Sequence, residues 1–144
     1  MPMDIKSLAV EGDVYVDPFV GPASHSVQIL IDVSGLTTDE VDSDGYLKPG
    51  VPFRENGLLI SGASQYVFGV TRESVRVGYY NGSYGNTSTI LDSASDVQVA
   101  LFTIGQVDKG AIEDNLGRSL TANEVDGFES GSCEVILVDR TLNT

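Results

Sequence analysis

Residues 27–33 read VQILIDV: Val27, Ile29, Ile31 and Val33 alternate with Gln28 and Asp32. A side-chain period of two is the mark of a strand with one face buried and one face wet. The same reading extends outward. Val97, Val99 and Leu101 alternate again, and Cys133–Val138 (CEVILV) reads as a nearly continuous buried strand. Tyr66–Val70 and Val75–Val77 are shorter β-prone pieces on either side of the polar 71–74. Between them stand turn dipeptides, Asp44-Gly45, Asn56-Gly57, Asn81-Gly82 and Gly85-Asn86, whose residues accept the backbone conformations that tight turns require.

Helix signals come late and short. Lys109–Leu116 (KGAIEDNL) allows two turns and is followed by Gly117, well suited to the position just past a helix end. Thr121 and Glu124 have capping-box spacing ahead of Val125 and Phe128. The pattern predicts one short helix within 109–128. The expected fold class is therefore mainly β with a minor α+β element: a β-sandwich or barrel-like domain with one short helix and an extended N-terminal arm.

The chain has 144 residues, which suits one domain, and no segment approaches the ~18 consecutive apolar residues of a membrane helix. MPMDIKSLAVEGD at the start lacks a basic leader followed by an apolar core, so no secretory signal is expected. Eight basic residues against 21 acidic ones give a net charge of −13. Nucleic acids are gripped by neutralising phosphates with Lys and Arg, so neither a nucleic acid nor an anionic membrane is an expected partner. The charge is uneven. Residues 1–45 hold one base, Lys6, whereas 46–77 hold Lys48, Arg54, Arg72 and Arg76 against Glu55 and Glu73. That locally basic window makes Arg54, Arg72 and Arg76 candidate contacts for another subunit.

Catalytic patterns find no support. His25, the sole histidine, stands in Ser24-His25-Ser26 without a nucleophile motif, and reads as a solvated loop residue. The single cysteine, Cys133, reads as a small buried apolar side chain, and alone it excludes an intrachain disulfide. Glu40, Asp42, Asp44 and Gly45 match the first half of a calcium loop, but Val51 falls where the bidentate carboxylate belongs. An acidic turn is the better reading. No metal, cofactor or enzymatic activity is expected.

Two segments suit contact with partners. Gly78–Thr89 (GYYNGSYGNTST) sets Tyr79, Tyr80 and Tyr84 among Gly, Ser and Asn: rigid amphipathic rings on an adaptable backbone. At the N-terminus Leu8, Val10, Gly12, Val14 and Val16 share one face of an alternating ribbon, before Pro18 and Gly21-Pro22 interrupt it. An arm that adds to a neighbour's sheet fits this pattern, with Leu8, Val10, Val14 and Val16 as contacts, and so does an ordinary first strand. The arm reading divides the chain into 1–24 and a β-rich domain over 25–144.

Four pieces, in order, resemble the head decoration (capsid cement) proteins of tailed bacteriophages: ILIDVSGL at 29–36, GYLKPGVPF at 45–53, YVFGVTRESV at 66–75 and ALFTIGQVDKGAIEDNLG at 100–117. The resemblance implies a homotrimer on the outer surface of an expanded icosahedral capsid, made in the host cytoplasm and bound to the major capsid protein. There it would stabilise the shell against the pressure of packaged DNA. Another β-rich interaction module, such as a phage tail or fibre component or a bacterial adhesin domain, is the competing expectation.

Overall fold

In the computed structural model, which describes residues 15–78, 96–129 and 134–139, the strand begun by the alternation at 97–101 runs on to residue 108 and organises the sheet. In chain order the elements are β1 (Ser24–Ile31), a 3₁₀ turn (Val33–Gly35), β2 (Tyr46–Leu47), β3 (Pro52–Phe53), β4 (Gly69–Val70), β5 (Val75–Arg76), β6 (Val97–Asp108), α1 (Lys109–Leu116), α2 (Ala122–Glu129) and β7 (Glu134–Val138). The fold is mainly β, as the alternating segments require.

β6 pairs antiparallel with β1 from Ser24↔Ile104 to Ile31↔Val97. It meets β4 at Val70↔Phe102, and β4 pairs with β3. Its second half pairs parallel with β7, from Ile104↔Glu134 to Asp108↔Val138. Parallel neighbours need a crossover, and α1 and α2 supply it. β2 and β5 form a separate two-stranded ladder. Val99, Leu101 and Val107 of β6 are buried with Ile31, Phe53, Val70, Ile112, Phe128 and Val135 in one core.

Several sequence expectations change. Among the described residues there are two short helices within 109–129, not one. Asp108 caps α1 by accepting from the Gly110 N–H, and Gly117 closes it in the left-handed region at φ 78°. Four residues later Thr121 and Glu124 form the reciprocal capping box: Thr121 N–H donates to Glu124 Oε1 at 2.8 Å, and Glu124 N–H donates to Thr121 Oγ1 at 3.1 Å. β1 stops at Ile31 because the Asp32 side chain accepts from Ser34 N–H and starts the 3₁₀ turn, so Val33 is buried outside the strand. β7 is not buried throughout. Among the described residues it pairs only with β6, and Ile136 is 54% exposed while Val135 is fully covered.

The acidic turn at 40–44 is held internally. Glu40 accepts from the N–H and hydroxyl of Thr37, and Asp42 accepts from the N–H groups of Asp44 and Tyr46. Gly45 adopts φ 85° with its carbonyl accepting from Val77 N–H. A Cβ there would collide with the Gly78 carbonyl, so this turn demands glycine.

Candidate interaction surfaces

Residues 15–23 fell within the expected arm, yet they lie against the domain. Phe19 is 7% exposed within the core and bridges Val107. Val20 N–H donates to the Gln106 carbonyl and Asp108 N–H to the Pro18 carbonyl, both at 2.8 Å. Asn115 of α1 grips the backbone of Val16 from both sides: its Oδ1 accepts from Val16 N–H at 2.9 Å and its Nδ2 donates to the Val16 carbonyl at 2.7 Å. The same Nδ2 donates to the Pro49 carbonyl at 3.2 Å. A side-chain amide thus imitates a strand neighbour. The Val16 side chain is 50% exposed, whereas Leu8, Val10 and Val14 lie outside the described residues. Asn115→Ala should cost about 2–3 kcal/mol, because it leaves buried backbone partners unsatisfied. Chemical denaturation should show this as a lower midpoint with an unchanged slope.

The three arginines of the basic window do not converge. Arg72 pairs with Asp17 at 2.9 Å and lies over the rings of Phe19 and Phe102, at 5.6 and 6.0 Å from their centroids. It pins the N-terminal segment onto the sheet. Arg76 stacks on Tyr46 at 4.5 Å and donates to the Asp44 carbonyl, which ties β5 to the acidic turn. Arg54 alone faces a cleft. Two of the three are therefore engaged within the chain, a role that charge counting could not separate from partner contact. Tyr79, Tyr80 and Tyr84, and also Cys133, lie outside the described residues.

Asp17 carries a pH signature. Partial burial works to raise its carboxyl pKa, but the Arg72 hydrogen bond, the Phe19 N–H and the Arg72 charge outweigh it, leaving the carboxyl below its ordinary 3.8. A carboxyl depressed in the folded state adds stability above its unfolded pKa and loses that contribution as pH falls through the folded one. Asp17→Asn keeps an oxygen for the Phe19 N–H while removing the charge. The pair is half-exposed, so the change should cost under about 1 kcal/mol at pH 7, and should vanish as pH falls through the lowered carboxyl pKa or in about 1 M salt. Thermal melts of both proteins across pH check it.

The cleft was not legible in the sequence. It measures about 600 Å³ and is open to solvent, with Thr103 on β6 beside it. His25 belongs to β1 rather than to a loop, and it holds φ 61°; Thr103 Oγ1 donates to its carbonyl at 2.8 Å. The 54–58 turn contributes Arg54, Glu55 and Asn56; it is closed by Arg54 N–H to the Leu58 carbonyl and Gly57 N–H to the Arg54 carbonyl. Tyr66, 50% exposed, and Phe68 form another wall. Their segment is anchored where Val67 N–H donates to the Gly127 carbonyl and Phe68 N–H to the Phe53 carbonyl. Glu134, at the start of β7, completes the rim. Among the described residues no group of three or more His, Cys, Asp or Glu could hold a metal ion. No helix among them is long and apolar enough to cross a membrane. No known family model matches the chain, and neither a curated protein nor a solved structure matches it.

Proposed function

We propose that this protein is a structural virion component that binds the outside of an expanded icosahedral capsid and reinforces it. The observation that carries the reading is the placement of the four segments that resemble decoration proteins. They cover the end of β1 (from Ile29) and its 3₁₀ turn, the run from β2 to β3, the run from β4 to the first residue of β5, and most of β6 (from Ala100) with α1. These stretches supply Ile31, Leu47, Phe53, Val67, Val70, Leu101, Val107 and Ile112 to one core, so their order in sequence corresponds to one continuous framework. A binding module of this kind acts by mass action: whatever binds the intact lattice and not its separated subunits stabilises the lattice. The work requires surface complementarity rather than a reacting group. Major capsid protein is the proposed partner, with a homotrimer as the bound form.

The rooting of residue 16 supports a contacting N-terminal segment. Asn115, the Asp17–Arg72 pair and the Tyr15 hydroxyl on Asp42 fix where the chain before residue 15 begins. Residues 4–14 are proposed to lie on capsid protein as an added strand. Tyr79, Tyr80 and Tyr84 are proposed to touch a neighbouring subunit. Purified protein mixed with expanded shells that lack it should co-sediment and saturate at a fixed ratio. Tyr79→Ala, Tyr80→Ala and Tyr84→Ala combined should weaken attachment at least about tenfold while leaving the melting temperature unchanged. Binding to isolated tails but not to shells would instead favour the tail or fibre reading.

A further inference from the structure

The cleft between the start of β1, the 54–58 turn and the Tyr66–Phe68 segment has properties that capsid attachment does not use. Two described non-glycine residues have positive φ, His25 at 61° and Ser64 at 64°, and both line it. Backbone held in a sparsely populated region persists only where surrounding structure enforces it, and such residues gather at binding sites. The enforcement is visible here. Thr103 holds the His25 carbonyl, and Gln65 Oε1 accepts from Ser61 N–H at 2.7 Å and Gly62 N–H at 3.1 Å, closing the loop that carries Ser64.

The walls are preorganised while their tips are uncommitted. Among the described residues, the side chains of His25, Arg54, Tyr66 and Glu134 form no hydrogen bond or ion pair. The volume of about 600 Å³ falls in the ordinary range for small-ligand sites. An aromatic wall of Tyr66 and Phe68 stands near a guanidinium with only donors, carboxylates with only acceptors, and the Asn56 amide with both.

A sugar ring matches that combination. Its C–H face is apolar and lies flat on an aromatic ring, while its edge presents hydroxyls that both donate and accept. Charge narrows the class. Glu55 and Glu134 outnumber Arg54 at the cleft, and the chain as a whole carries −13, so an anionic ligand would be repelled. A purely apolar ligand would strand the ionised groups without water. The geometry points to a binding site for a short neutral oligosaccharide, of hexose or N-acetylhexosamine units, with Tyr66 as the stacking platform and Arg54 and Glu134 as hydroxyl partners.

The test is an amide chemical-shift titration of the full chain with maltotriose, cellotriose and the N-acetylglucosamine trimer, with an uncharged tetrapeptide as a fourth probe. At least one of the three sugars should shift amides around 25, 54–56, 64–68, 103 and 134 saturably, with affinity in the millimolar range or tighter. Tyr66→Ala should weaken that binding at least about tenfold and Tyr66→Trp should restore it, since a larger ring keeps the platform. Arg54→Gln should weaken it as well. The spectrum of each variant away from the cleft should match the parent, which separates lost contact from lost fold. Absence of shifts with all three sugars at about 20 mM would overturn the assignment. So would shifts confined to other surfaces, response to the tetrapeptide alone, or sugar binding that Tyr66→Ala leaves intact.

Discussion

Removing residues 1–14 should leave a folded protein, and removing residues 1–20 should not. The longer truncation takes Phe19 out of the core, where a Phe-to-Ala change alone costs about 3–5 kcal/mol. It also takes the Val20 and Pro18 hydrogen bonds to β6, both partners of Asn115 at Val16, and the Asp17 mate of Arg72. Asn115 would keep only its hydrogen bond to the Pro49 carbonyl, and the ring of Phe102 would lose the edge-on contact of Phe19. The combined loss is comparable to the whole stability of an ordinary domain, about 5–15 kcal/mol, so the product should be aggregated or largely unfolded. The shorter truncation removes none of these groups. Circular dichroism and thermal melts of the two products decide the matter. Residues 15–23, which the prolines assign to an arm of residues 1–24, thus belong with the domain. A cooperative melt near the parent's from the 1–20 truncation would show that the Phe19 anchor is dispensable.

Arg118→Met should be nearly as damaging. Arg118 sits in the connection between α1 and α2 and reaches three carboxylates: Glu124 at 2.9 Å, Asp39 at 3.0 Å and Glu40 at 3.6 Å. Glu40 and Glu124 are 4% and 5% exposed, so they depend on this one cation. Hydrogen bonding to Glu124, against the opposing effect of burial, raises the pKa of Arg118 above its already high value, and it never gives up its proton. Taking away one member of a buried ion group costs about 3–5 kcal/mol, because a charge is left inside without compensation. Arg118 is itself only partly buried, which favours the lower end. A drop of about 10 °C in melting temperature follows for a chain of this size. Adding Glu40→Gln and Glu124→Gln to the Met variant should recover part of it, since neutral amides need no cation. If the single variant melts within about 2 °C of the parent, water reaches the carboxylates and the network is ornamental.

These two networks also mark what local pattern reading can and cannot see. The Thr121–Glu124 box and the Gly117 stop were visible because their partners lie within four residues, where spacing alone determines contact. The β1 and β6 strands were visible because period two repeats along each. By contrast Phe19 joins the core through one isolated bridge to Val107, and a single residue has no period. Its neighbours Pro18 and Pro22 read as a hinge although they flank an anchor. Arg118 meets Asp39 and Glu40 across nearly eighty residues of chain, and charge counting sees only an acidic surface. The exposure of Ile136 is not legible for a related reason: CEVILV looks the same whether both faces are covered or one, and it is the pairing of β7, among the described residues, with β6 alone that distinguishes them. The cleft is assembled from five separated pieces of chain, and its chief local sign, positive φ at His25, is not encoded by any glycine. Arg54, named from the basic window, reaches the cleft; Arg72 and Arg76, named with it, are spent on Phe19 and Tyr46.

The central claim, reinforcement of a pressurised shell from outside, is tested most directly by heating DNA-filled capsids and following release of DNA by dye fluorescence. The capsids would be compared bare, saturated with the full chain, and mixed with the chain lacking residues 1–14. The full chain should raise the temperature of release in a concentration-dependent, saturable way, by RT ln(1 + [L]/Kd) for each site occupied on the intact lattice. The folded truncated chain should raise it little or not at all, because it lacks the segment proposed to add a strand to capsid protein. Saturating full-length protein that leaves the release temperature where bare capsids have it would contradict the account.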